Sequence, residues 1–168
     1  MPEDTQHRIR QPSDLNEIRT IAQGILGKIC ADVDLGYAEE LYIYIGDPMP
    51  PRATKKRNFV LYEWELASRG TNWQLTRLGN VIVTSQNTSD KIREETQSLK
   101  GAQVLSFEIG YPNLGLTITF DNGYELAIQP TSEDAVCDLA YWQLFTPTMM
   151  LLEVGPGPFW SYTRADLP

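Results

Sequence analysis

The chain has 168 residues, 42 % hydrophobic and 21 % charged, and its 14 basic and 22 acidic groups give a formal charge of −8 and a pI near 4.6. This is the composition of a globular domain long enough for a real core, and its acidity excludes the basic face on which phosphate-backbone binding depends. No apolar run reaches the roughly 18 residues of a membrane helix, and the single histidine, His7, leaves Ser-His-Asp, Cys-His and His-rich zinc chemistry without a base or ligand set.

Residues 1–13 are polar, sum to zero charge and read as a tail, His7 included. They lack the apolar stretch of a signal peptide, so a cytoplasmic protein is expected. Leu15, Ile18, Ile21, Ala22 and Ile25 then recur at helical spacing, predicting a helix over 14–26 that Ser13 or Asp14 can cap and that ends near Gly27. Ile29, Ala31, Val33 and Leu35 alternate with polar residues, as do Leu41, Ile43 and Ile45, which predicts two half-buried strands around a turn at Gly36-Tyr37. Asp47 to Arg57 holds three prolines and four cations and reads as a basic loop. Strands are expected at 59–66, 72–77 and 80–84.

Thr88 or Ser89 can open a second helix, over 90–99, which Gly101 ends. Strands follow at Leu105–Ile109 and Leu116–Phe120, with turns at Gly110-Tyr111-Pro112-Asn113 and at Asp121-Asn122-Gly123, a tight-hairpin signal into Tyr124–Ile128. Further strands are expected at 139–145, 149–154 and 158–162, where Phe159, Trp160 and Tyr162 close the core. The two cysteines, Cys30 and Cys137, are too few for a disulfide scaffold and read as small strand residues.

A shift of 74 residues lays 18–37 on 92–111: Ile18-Arg19 meets Ile92-Arg93, Gly27 meets Gly101, and Asp34-Leu35-Gly36-Tyr37 meets Glu108-Ile109-Gly110-Tyr111. Trp64-Glu65-Leu66 likewise resembles Trp142-Gln143-Leu144. The expected fold is α+β and internally duplicated: a helix followed by antiparallel strands, twice, at 14–88 and 89–168, packed as one unit about a pseudo-two-fold axis. The amphipathic helices are expected to cover one sheet face.

The copies differ in charge. Residues 14–88 carry net −1 and residues 89–168 net −7. They differ also on the outward strand face, where Asp32, Asp34, Tyr42 and Tyr44 of the first copy stand where the second has Ser106, Glu108, Thr117 and Thr119. Tyrosines beside carboxylates suit protein recognition, because tyrosine gives a large contact area at low entropy cost. Asp32 and Asp34, two apart on a strand, share a side. With Glu39, Glu40 or Glu108 they could hold Mg²⁺ or Ca²⁺ through oxygen, although no EF-hand spacing is present.

Gly36-Tyr37, Trp64-Glu65-Leu66, Gly110-Tyr111 and Trp142-Gln143-Leu144 resemble the pattern of small uncharacterised bacterial α+β proteins, some of them similar to immunity proteins of toxin systems. The resemblance implies a binding role without catalysis. The expected function is therefore a non-catalytic, acidic interaction module without cofactor or bound metal, an immunity-type inhibitor being one form. It would meet a basic protein partner through Asp32, Asp34, Glu39, Glu40, Tyr42 and Tyr44, with no role for nucleic acid or membrane. Two alternatives stand beside it: a metal-assisted hydrolase using Asp32, Asp34 and Glu108, and a self-associating structural protein, a homodimer through the tyrosine face or the basic loop.

Overall fold

The computed structural model of the protein describes residues 6–36, 40–50, 61–134 and 138–165. The first helical segment begins where the Asp14 carboxylate turns back to accept the backbone N–H groups of Arg10 (2.7 Å) and Gln11 (3.2 Å). A 3₁₀ turn at Pro12–Leu15 runs into α1 (Asn16–Ala22) and closes in a second 3₁₀ turn at Gln23–Ile25. Leu15, Ile18, Ala22 and Ile25 form its buried stripe. In α2 (Ser89–Thr96), Thr88 is the N-cap and its hydroxyl accepts the Lys91 N–H at 3.3 Å; Ile92, Thr96 and, in the 3₁₀ turn after it, Leu99 are buried. Both segments are followed by glycines in the left-handed region, Gly27 at φ 84° and Gly101 at φ 89°, which sharply reverse the chain.

Among the described residues twelve strands form two antiparallel sheets. In chain order they are β1 (Gln6–Arg8), β2 (Cys30–Leu35), β3 (Leu41–Pro48), β4 (Tyr62–Ala67), β5 (Trp73–Arg77), β6 (Asn80–Thr84), β7 (Val104–Ile109), β8 (Leu116–Phe120), β9 (Tyr124–Ile128), β10 (Trp142–Phe145), β11 (Met150–Val154) and β12 (Phe159–Arg164). One sheet has seven strands in the order β1-β12-β11-β10-β4-β3-β2, the other five in the order β6-β5-β9-β8-β7. This mostly antiparallel α+β architecture agrees with the class expected from the alternating patterns.

The connectivity crosses between sheets. After α1 the chain lays β2, β3 and β4 in the larger sheet, then sends the β5–β6 hairpin to the smaller one, where β5 pairs with β9. After α2 it lays β7, β8 and β9 in the smaller sheet, then sends β10 and β11 back, where β10 pairs with β4. A short seam joins the sheets at one corner. Ile29 bridges Gln103, and four backbone hydrogen bonds surround them: Gly27 N–H to Val104 O (2.8 Å), Val104 N–H to Lys28 O (2.9 Å), Cys30 N–H to Ala102 O (2.8 Å) and Gly101 N–H to Cys30 O (2.8 Å). Both strands leaving the seam carry a register shift, between Cys30 and Asp32 in β2 and between Val104 and Ser106 in β7.

The inner faces of the two sheets and the helix stripes make one core. Trp142 of β10 is fully buried, meets Phe107 of β7 edge-on at 5.7 Å between centroids, and donates its indole N–H to Leu114 O at 3.0 Å. The helices do not lie across a sheet face as expected from their amphipathicity. With side chains from both sheets already filling the space between them, α1 packs against β7 and α2 against β2 and β6, at the sides of the sandwich.

The polar tail also differs from expectation, because residues 6–8 pair with β12 and Ile9 is buried. His7 stacks on Trp160 at 4.4 Å between centroids, and Ile9 donates its N–H to Pro158 O at 2.7 Å. The edge of β12 offers backbone partners that the composition of these residues does not advertise. Against the alternation expected from the sequence, Cys30 is buried and Ile29 is exposed, because the register shift between Cys30 and Asp32 flips the strand's faces; burial pushes the Cys30 thiol up to about 12, which leaves it unreactive. Cys137 lies outside the described residues.

Candidate functional site: the outer face of the larger sheet

Residues directly opposite one another in an antiparallel pair share a face, so the register lays out the outer surface of the larger sheet in rows. One row runs Asp32, Tyr44, Glu65, Phe145, Leu151, Thr163. The next runs Asp34, Tyr42, Ala67, Gln143, Glu153, Ser161. Between them the inner row, Val33, Ile43, Leu66, Leu144 and Leu152, is buried. Tyr42, Tyr44, Glu65 and Phe145 are half-buried and Asp34 is exposed. Among the described residues no helix packs on this face.

Tyr44 leans on Tyr62 at 5.7 Å between centroids, with the rings tilted by 39°. Tyr42 packs over Gly36, where a Cβ would overlap its ring, so the glycine is what lets the tyrosine lie against the end of β2. The Arg69 guanidinium stands beside Tyr42 and pairs with Glu40 at 2.9 Å.

The electrostatics follow from this crowding. Burial, and then the nearby charges of Glu65, Asp34 and Asp32, push the Tyr44 phenol up to about 12. Burial and Glu40 raise Tyr42 as well, against the opposing pull of Arg69. Burial alone holds the Glu65 carboxyl above the usual carboxylate range.

Of the residues singled out from the sequence, Asp32, Asp34, Tyr42 and Tyr44 do share one face, and Glu40 sits at its margin. Asp32 is taken up by Lys100 at 3.4 Å and by the Val33 N–H at 2.8 Å. Asp34 accepts the Leu35 N–H at 2.8 Å. Glu39 lies outside the described residues, as do residues 51–57 of the basic loop. Glu108 stands on the outer face of the smaller sheet, opposite Thr117, and among the described residues no three His, Cys, Asp or Glu side chains gather as a metal group.

Sequence reasoning missed Glu65, Tyr62 and Phe145. A parity signal was present for Glu65, since buried Trp64 and Leu66 on either side force it outward. Nothing in the sequence told that β3 and β10 would flank it with rings. The smaller sheet offers no such surface: its outer rows are Ser106, Thr119, Glu125, Thr76 and Val81, and Glu108, Thr117, Ala127, Gln74 and Thr84, with no aromatic side chain.

Chemically, the larger face can receive cations, by carboxylate pairing at its acids and by ring contact at its tyrosines. Among the described residues no helix is long and apolar enough to cross a membrane. No family model, curated protein or solved structure matches the chain.

Proposed function

We propose that the protein is a non-catalytic interaction module that docks a basic protein partner on the outer face of its larger sheet. The observation that carries this reading is the half-buried row of Asp32, Tyr44, Glu65 and Phe145 beside Asp34 and Tyr42, on a chain of formal charge −8. Long-range attraction would steer a basic protein toward the chain, and half-buried rings would hold it once there. Inhibition of a basic bacterial protein, in the manner of an immunity protein, is the concrete form we favour.

The same proposal includes an internal duplication about a pseudo-two-fold axis. Its support is the repeated order of helix, three strands and then strands sent to the other sheet, β5–β6 from the first half and β10–β12 from the second, and the seam whose hydrogen bonds exchange Gly27 for Gly101 and Cys30 for Val104 under a shift of 74 residues. On this reading one half kept a polar Ser/Thr face and the other acquired the aromatic, acidic one.

The test is affinity capture from native host lysate at low and high salt, with wild type and a Tyr42→Ala/Tyr44→Ala variant. A basic protein retained by wild type at low salt, released at high salt and lost by the variant is the expected result. Retention unchanged by the variant would move the function off this face.

A further inference from the structure

The acids of the outer face are not equivalent. Glu63 is held by Lys28 at 3.2 Å and by the Asp47 N–H at 2.9 Å. Glu40 has Arg69 and Asp32 has Lys100. Glu65 has neither an ion pair nor a hydrogen bond to its carboxylate among the described residues, and its direct cross-strand neighbours are both aromatic, Tyr44 on β3 and Phe145 on β10. Glu153, also without an ion pair among those residues, sits between Gln143 and Ser161, away from the rings.

A half-buried carboxylate without a counter-charge costs the folded state desolvation energy that nothing local returns. Its neighbours aggravate the cost, since the rings exclude water on both sides and contribute no donor to it. Among the described residues the position lacks a cation, and one approaching from above the sheet would supply it. A guanidinium fits best: it is planar, lies against aromatic rings, and offers a paired fork of N–H groups to a carboxylate. The net negative charge of the chain favours the approach of such a group.

We infer that Glu65 is the anchor of the docking face, taking an arginine side chain of the partner between Tyr44 and Phe145. This rests on the proposed docking function and names the chemistry that the partner must present there.

The probe is a blocked tri-arginine amide titrated into isotope-labelled protein and followed by chemical-shift mapping, with Tyr42→Ala/Tyr44→Ala, Glu65→Gln and Glu125→Gln run in parallel. Shifts centred on Tyr44, Glu65 and Phe145 are expected, with affinity weakened about tenfold in Glu65→Gln and unchanged in Glu125→Gln, which alters the other sheet. The Glu65→Gln protein should also melt at or above the wild-type temperature at neutral pH, because the substitution removes an uncompensated charge. Equal binding by Glu65→Gln and wild type, or a lower melting temperature for the variant, overturns the anchor. If the tyrosine variant alone loses binding, the anchor fails while the docking face stands. If the peptide leaves this face unperturbed, both fail.

Discussion

Ile29 and Gln103 face each other across the seam between the two sheets, and the Gln103 side chain reaches past the bridge to donate its Nε2–H to Gly27 O at 3.0 Å. The contact spans 76 residues of sequence, so it ties the turn after the first helix to the strand that follows the second. Asp121 closes the same corner, its carboxylate accepting the Gln103 N–H at 2.9 Å and its own N–H donating to Gln103 O at 2.9 Å. The corner is held almost wholly by polar backbone contacts, and Ile29 itself is 45 % exposed.

The glycines of this corner should be intolerant of side chains for a backbone reason alone. At Gly101 (φ 89°) a Cβ would meet no atom within 4 Å, so no steric clash confuses the measurement. Gly101→Ala should cost about 1–2 kcal/mol, the penalty of holding an L-residue in the left-handed region. Urea denaturation checks this, and an unchanged midpoint would show that the turn relaxes into another conformation.

Trp142 should be the costliest single aromatic to remove from the core, because it serves both sheets at once. Trp142→Ala should lose about 3–5 kcal/mol. Trp142→Phe keeps much of the volume but leaves Leu114 O without its donor, and should lose about 1–3 kcal/mol. Chemical denaturation of the pair separates packing from hydrogen bonding, and a Trp142→Phe variant as stable as wild type would mean that the indole N–H contributes nothing.

Stability should carry a signature of Glu65 in its pH dependence. Its carboxyl is held above the usual range by burial, so the folded chain keeps this proton at pH values where the unfolded chain has released it. The group therefore favours folding below the ordinary carboxylate pKa, and that contribution is lost as pH rises through the raised value. The melting temperature of Glu65→Gln, relative to wild type, should climb as the pH rises from about 4, the ordinary carboxylate value, through the raised one. A difference that stays constant over that range would mean that Glu65 titrates as an ordinary solvent-exposed acid.

Much of the fold was legible as local pattern. Period-two alternation located Leu41, Ile43 and Ile45 on one side of β3 and Tyr42 and Tyr44 on the other, and Asp121-Asn122-Gly123 marked the hairpin between β8 and β9, with Gly123 at φ 87°. Thr88 announced α2. Partnership was not legible, because alternation says which way a side chain points and not which strand lies beside it. That β5 leaves β4 for β9, and that β10 returns to β4, depends on a core shared by residues more than 70 positions apart, such as Leu66 and Leu144. The candidate face was half readable for the same reason. Asp32, Asp34, Tyr42 and Tyr44 come from one hairpin and could be grouped by parity, whereas Glu65 and Phe145 join them only through the tertiary pairing of three strands.

The exchange of hairpins also sets an order of events for a chain leaving the ribosome. β4 can pair with β3 as soon as it emerges, but its other edge waits for Trp142–Phe145, the tenth of twelve strands. Until then a row of backbone donors and acceptors, beside Tyr44 and Glu65, stays open to any extended segment nearby. The nascent protein thus exposes an adhesive margin while the chain between Ala67 and Trp142 is made, and the late hairpin is what seals it.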